Sequence, residues 1–361
     1  MSNFEERKKL IDELQKKRNS VLITYFTLTD RTNMTNLMIA DDAIEPLHSL
    51  LEETGTRDRI ELLLYTRGGA MMSAYSIVKL FREYTKEFNV LVPFRAHSAG
   101  TQLALGANNI VMGKMGVLSP VDPSTGSVFN PILNPQVDPS NPLNRKQISV
   151  EDVQAYLNLA RDKVGLCGED HKLEVFKELT KNCEPLALGN VNRVYNEIRR
   201  IAKEVLSLHM DSQTNEEKIE NIIRFLTEVY THDFQITRDL AKEIGLKVVQ
   251  PSTVEEELMM KIYYSYAKEF KMAEPFDAEI LLPQQYRYQT IITQLNQTIP
   301  NPVPFKVKLG AIENANNSYI WISDGVVYPP LLIPNMINRE IPSINIKCGS
   351  WNKNPGAGTY V

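Results

Sequence analysis

Two short apolar runs, each ending in a glycine-bearing turn and followed by a helix-period stretch, constrain this chain more than any other feature. Ile60-Glu61-Leu62-Leu63-Leu64-Tyr65 leads into Thr66-Arg67-Gly68-Gly69-Ala70, and Val90-Leu91-Val92-Pro93-Phe94 leads toward His97-Ser98-Ala99-Gly100-Thr101. Near-continuous apolar runs of this length read as strands covered on both faces. After the first turn, Ala74, Ile77, Val78, Leu80 and Phe81 are apolar while Lys79, Arg82 and Glu83 are polar, a helical period. After the second, Gln102-Leu103-Ala104-Leu105-Gly106-Ala107 is small and largely apolar, a buried helix. Strand, glycine turn, helix, strand, serine turn, helix predicts βαβ units and a largely parallel sheet.

Ser98 falls where a strand hands over to a helix. A serine there can be held exposed at a sharp turn, beside the first free N–H groups of the helix and its dipole. That placement suits a nucleophile whose product is an oxyanion. It equally suits a plain helix N-cap, for which serine is a favoured residue. The preceding Gly68-Gly69 pair favours the first reading. Without Cβ atoms its backbone can approach a bound group closely. Amides of Gly68 or Gly69, paired with that of Ala99, would form a two-donor oxyanion hole.

Taken together, Tyr-Thr-Arg-Gly-Gly, His-Ser-Ala-Gly-Thr, Ala-Asn-Asn-Ile-Val-Met-Gly and Leu-Ser-Pro-Val-Asp-Pro resemble the Clp-fold (crotonase-like) serine peptidases. More narrowly, the chain is similar to the serine dehydrogenase proteinase family, relatives of signal peptide peptidase A. The resemblance extends from about Arg7 to about Lys271. It implies a Clp/crotonase-like ββα superhelix within the α/β class, a Ser98 nucleophile, a polypeptide substrate and a homo-oligomer of ring type.

Ser98 needs a base, and three substitutes come into view because the loop Ser119-Pro120-Val121-Asp122-Pro123 lacks the histidine that Clp-type proteases carry there. Relatives of signal peptide peptidase A use a lysine, which implies Lys146, just ahead of a helix. Such a base must be desolvated to be neutral. Counting back from Gly245-Leu246 to the position of the Clp triad aspartate lands on Asp233, with His232 beside it. A solvated Lys146 and a surface His232–Asp233 pair capping a helix are the plain alternatives. His97, next to Ser98 on an extended segment, points to the other side and reads as structural or as a subunit contact. Arg67 is a candidate for meeting a substrate carbonyl or carboxylate, and Asp122 for holding its loop.

The remainder of the chain fills in the organisation. Helices are expected over Glu5–Lys17, Ala40–Glu53, Ser149–Val164, His171–Lys181, Val191–His209, Asn215–Tyr230 and Glu255–Lys271, with Pro185 ending the one before it. Ser124–Asn144, rich in Pro, Asn and Ser, reads as a loop or insertion of the kind that forms a lid or substrate rim. Domain boundaries follow: a peptidase domain over 1–274, carrying a loop and helical insertion at 124–190, and a β-rich accessory region or oligomerisation tail over 275–361. Within the latter, Val303–Leu309, Ser318–Ile322 and Val326–Tyr328 read as strands, with Asp324-Gly325 as a hairpin turn.

At 361 residues the chain can hold one large domain and an accessory one. A net charge of −4 with mixed signs leaves no electrostatic footprint for nucleic acid. No stretch reaches the roughly 18 apolar residues of a membrane span, and no signal-like h-region follows the N-terminal charges. The three cysteines lack disulfide or zinc spacing and fit a reducing compartment, so a cytoplasmic protein is expected. The chemistry requires no cofactor, metal or nucleotide. Two rival readings keep the fold: a catalytically inactive scaffold or partner-binding protein, and a crotonase-like enzyme acting on coenzyme A thioesters.

Overall fold

The apolar runs send alternate residues to opposite faces of one sheet, and both faces are covered. The computed structural model describes residues 3–28, 36–121, 124–138, 141, 144–228, 233–284, 291–292, 301–329, 331–333, 337–338, 343–355 and 360. The first part of the chain runs α1 (Asn3–Arg18), β1 (Val21–Thr27), a 3-10 turn (Asp41–Ala43), α2 (Ile44–Thr54) and β2 (Arg57–Tyr65). It continues with α3 (Met71–Tyr84), β3 (Thr85–Val92), β4 (Arg95–Ala96), α4 (Ala99–Leu105), β5 (Asn109–Met112) and β6 (Val117–Leu118). Ile23, Leu62, Leu64, Val90 and Val92 pack on one face with residues of α2, α3 and α4. Leu22, Phe26, Leu63, Tyr65 and Leu91 pack on the other with Ile11 and Leu14 of α1.

The second part begins with β7 (Ser124–Thr125), β8 (Ile148–Ser149), α5 (Val150–Asn158), a π-helical turn (Leu159–Lys163) and α6 (Glu169–Asn182). Then follow α7 (Pro185–Ser207), α8 (Glu216–Glu228), β9 (Ile236–Thr237), α9 (Arg238–Glu243), β10 (Val248–Val249) and α10 (Thr253–Glu269). α7, α8 and α9 join the α2–α4 layer, while Leu258, Met259, Ile262 and Tyr266 of α10 join α1. Among the described residues no helix is long and apolar enough to cross a membrane.

β10, β5, β3, β2 and β1 lie side by side and parallel, with Ile23 opposite Leu62, Leu62 opposite Val90, and Leu91 opposite Val111. The expected α/β class and parallel units are therefore present. Beyond β1 the sheet turns antiparallel. After β11 (Ile291–Ile292) come β12 (Val303–Glu313) and β13 (Ser318–Tyr328), and β12 pairs with β1 through Thr24 opposite Glu313. β14 (Leu331–Ile333) and β15 (Ile337–Asn338) form a separate small sheet with β11, whereas β16 (Ser343–Ile346) and β17 (Ser350–Lys353) extend β13. The β-rich C-terminal stretch thus continues the main sheet through these strands. Arg7 of α1 ties this junction, donating to both carboxylate oxygens of Glu313 at 2.8 Å in a buried bidentate pair.

Two local expectations are corrected. Asp324-Gly325 is no hairpin turn: β13 runs straight through it, with Gly325 opposite Phe305. A Cβ on Gly325 would lie 2.2 Å from Phe305 Cζ, so the glycine makes room for a ring on the neighbouring strand. The turn is at Asn314, whose side-chain oxygen accepts from the N–H groups of Asn316 and Asn317 at 2.8 Å, an Asx turn. Pro185, expected to end a helix, instead begins α7, because a first-turn proline has no N–H to lose.

Candidate active site

The two turns singled out in the sequence lie side by side at the carboxyl ends of their strands. Thr66 N–H donates to Arg95 O at 3.0 Å and His97 N–H to Thr66 O at 3.1 Å, so β4 runs along the exit of β2. Ser98 then turns the chain with φ +50° and ψ −113°, a conformation ordinary side chains avoid, costing about 1–3 kcal/mol. Gly100 follows because a Cβ there would lie 2.5 Å from Thr66 Cγ2.

Ser98 occupies the N-cap position of α4, yet its side chain makes no capping bond. The plain N-cap reading therefore fails. Its N–H donates to Ser119 Oγ at 2.8 Å, and its carbonyl accepts from Gln102 N–H at 2.9 Å. Its hydroxyl has no hydrogen-bond partner among the described residues.

Gly68 (φ +122°) and Gly69 (φ +148°) have different tasks. A Cβ on Gly68 would stand 2.8 Å from Ser98 Cβ and 3.3 Å from Ser98 Oγ, so this glycine lets the turn close on the serine. Its N–H is committed to Thr66 Oγ1 at 3.0 Å, which removes it as an oxyanion donor in this structure. Gly69 faces Ile39, whose N–H donates to Gly68 O at 2.9 Å and whose carbonyl accepts from Ala70 N–H at 2.8 Å. In such a parallel bridge the groups of the central residue point the other way. The Gly69 N–H thus faces away from Ile39. Ala99 N–H, the first of α4, is one of the helix amides without an intrahelical acceptor.

Neither Lys146 nor Asp233 hydrogen-bonds the Ser98 hydroxyl among the described residues. Lys146 is exposed. Its backbone is held in the insertion, with N–H to Pro131 O at 2.8 Å and its carbonyl accepting from Asn130 Nδ2 at 2.8 Å. It does not have the burial that a neutral lysine base requires. Asp233 is exposed as well, while His232 and Asp122 fall outside the described residues. The segment after Asp233 is nonetheless drawn toward the Ser98 loop. β9 pairs antiparallel with β6, Ile236 opposite Leu118, and β6 pairs with β4, Leu118 opposite Ala96. Arg67 is exposed and His97 half-buried.

Sequence reasoning passed over three residues. Ser119 is buried and accepts from the Ser98 amide. Gln102, one helical turn beyond Ser98, is fully buried with neither side-chain polar atom hydrogen-bonded among the described residues. His209 reaches the far end of α4, its Nε2 lying 2.8 Å from Leu105 O, and burial lowers its pKa to about 4. A serine directly before a proline was the available signal for Ser119. Nothing local distinguished the other two. Among the described residues no group of His, Cys, Asp and Glu could hold a metal ion.

Residues 1–149, which carry both turns, match the family model described as ClpP-like SDH-type serine proteinase. Over 264 residues the chain is 28% identical to MJ0137, an uncharacterized protein of Methanocaldococcus jannaschii, covering 71% of this chain and 78% of the relative. A second uncharacterized protein of that organism, MJ1495, is 26% identical over 190 residues, covering 52% of this chain and 51% of its own length. Two structures of the 1510-N membrane-bound stomatin-specific protease align at 16% identity and a TM-score of 0.34, covering 65% of this chain and 76% and 80% of theirs. So loose a superposition transfers no residue. The segment bearing Ser98 and the glycine turn is thus similar to the ClpP-like SDH-type serine proteinases.

Proposed function

We propose that the protein is a serine peptidase that cleaves polypeptides through a Ser98 acyl-enzyme. The observation that carries this is the strained Ser98 turn, closed against Gly68, with a hydroxyl that has no partner among the described residues. Ser98 Oγ attacks the scissile carbonyl carbon as the base takes its proton. The carbonyl oxygen becomes an oxyanion held by the N–H groups of Gly69 and Ala99, aided by the N-terminal end of α4. Collapse expels the amine, protonated by the same base. Water, deprotonated in turn, then releases the acid and restores Ser98.

The base is Lys146 or the His232–Asp233 pair. Lys146 belongs to the insertion, and serving Ser98 means that this segment closes over the site and desolvates the ammonium. The reading extends to a cytoplasmic homo-oligomer, supported by three free cysteines and by exposed apolar side chains on the insertion and α6. The inactive-scaffold reading draws on one observation: no base touches the Ser98 hydroxyl among the described residues.

Fluorophosphonate labelling of the wild type beside Ser98→Ala, Lys146→Ala and His232→Ala tests this. The peptidase reading expects a labelled wild type, no label on Ser98→Ala, and loss in one base variant. A folded wild type that does not label would sink it in favour of the scaffold.

A further inference from the structure

Ser119 is buried, 1% exposed, in the loop that leaves β6, and it meets α4 on both sides of its own backbone. Its N–H donates to Thr101 Oγ1 at 3.1 Å, and its carbonyl lies 2.9 Å from the same oxygen, which is also 2.9 Å from Ala96 O. Thr101 thus binds the end of β4, the start of α4 and the Ser119 loop together through one hydroxyl. The Ser119 hydroxyl spends its only proton on Pro120 O at 3.0 Å. Toward Ser98 it can therefore act only as an acceptor, and it takes the Ser98 N–H at 2.8 Å.

Two consequences follow for the nucleophile. The half-buried Ser98 N–H takes its acceptor from a different loop. That bond is satisfied in the φ +50° conformation Ser98 adopts, so losing it removes one restraint holding the turn in its strained form. In addition, the nucleophile's own amide is withheld from the oxyanion, leaving that role to Gly69 and Ala99.

We propose that Ser119 is a positioning residue for the nucleophile, its hydroxyl clamping the Ser98 amide so that Ser98 Oγ and the Gly69 and Ala99 amides converge on one substrate carbonyl. This rests on the serine-peptidase reading. The role is distinct from packing. The clamp acts on the rate of the acylation step, because misplacing a reacting atom by about 1 Å costs on the order of 100-fold. It leaves binding of the reagent before reaction unchanged.

The test is fluorophosphonate inactivation followed as a function of reagent concentration, separating the maximal rate from the half-saturating concentration. For Ser119→Ala the maximal rate is expected to fall by roughly 10–100-fold, with half-saturation within about twofold of wild type. Ser119→Thr, which keeps the hydroxyl, is expected to recover most of the rate, and a thermal melt of each variant reports folding. Ser119→Ala labelling at the wild-type rate overturns the clamp, as does a loss confined to half-saturation. Equal slowing of the Ala and Thr variants with equally lowered melting temperatures assigns Ser119 to packing and also overturns it. An unlabelled wild type instead defeats the peptidase reading itself, so the two failures are told apart.

Discussion

The stretch from Ile60 to Val121 and the stretch from Ser124 to Leu186 are comparable in length and opposite in construction. In the first, residues 60–65 of β2 and 88–92 of β3 are buried on both faces, and every residue of α4 is buried. In the second, α6 has no buried residue and α5 buries only Val150. Val128, Leu133, Val164, Leu173, Phe176 and Leu186 leave large apolar surfaces in the open. A lone 14-residue helix is marginal in water. The exposed Glu169–Lys172, Glu174–Lys177 and Glu178–Lys181 pairs along it add little. The contrast divides the proposed chemistry. Nucleophile and oxyanion donors, which need sub-ångström placement, sit on the rigid bed, whereas Lys146 rides on the open arm.

The sharpest way to break this comparison is one glycine from each region. Gly68→Ala puts a Cβ against Ser98 and forces φ +122° on alanine, so fluorophosphonate labelling is expected to drop at least about 100-fold. Gly165→Ala, at φ +79° with nothing within 4 Å, is expected to cost about 1 kcal/mol in a urea melt and leave the labelling rate unchanged. Equal effects on labelling would erase the distinction.

A second pair measures stability. Leu103→Ala in α4 is expected to cost about 2–5 kcal/mol by urea unfolding, since the side chain is fully buried against α3 and the sheet. Phe176→Ala in α6 is expected to change it by less than about 0.5 kcal/mol. A large loss from Phe176→Ala would mean that the arm is packed in solution, against a second copy or the body.

The smallest effect is one of pH. Burial lowers the His209 pKa to about 4, so the folded protein keeps the ring neutral while the unfolded chain takes a proton below its ordinary 6.5. The unfolded state binds more protons between those values, and stability falls as pH drops through the window. The loss is at most about 2 kcal/mol at pH 5. Urea midpoints at pH 7.5 and pH 5 are expected to differ in the wild type and to converge in His209→Gln. An unchanged pH dependence in that variant would remove His209 as the group that ties the end of α7 to α4.

Local pattern carried the reading a long way where neighbours in sequence are neighbours in space. The alternation of Leu62, Leu63, Leu64 and Tyr65, the small-residue helix after Ser98, and the glycine turn all state their own conformation through sterics and hydrophobic period. Asp324-Gly325 misled because the same dipeptide serves a turn or makes room for a ring across the strand, and only the position of Phe305 decides between them. Pro185 misled because a proline stops one helix as readily as it starts the next.

At the site, the sequence by itself determined that a serine turn and a Gly-Gly turn end adjacent strands. Tertiary structure alone decided what each amide does. The Gly68 N–H goes to Thr66 because the turn folds back on β2, and the Ser98 N–H goes to Ser119 because β6 lies beside β4. A buried donor takes whichever acceptor the fold brings within about 3 Å, and that depends on packing between segments distant in the chain.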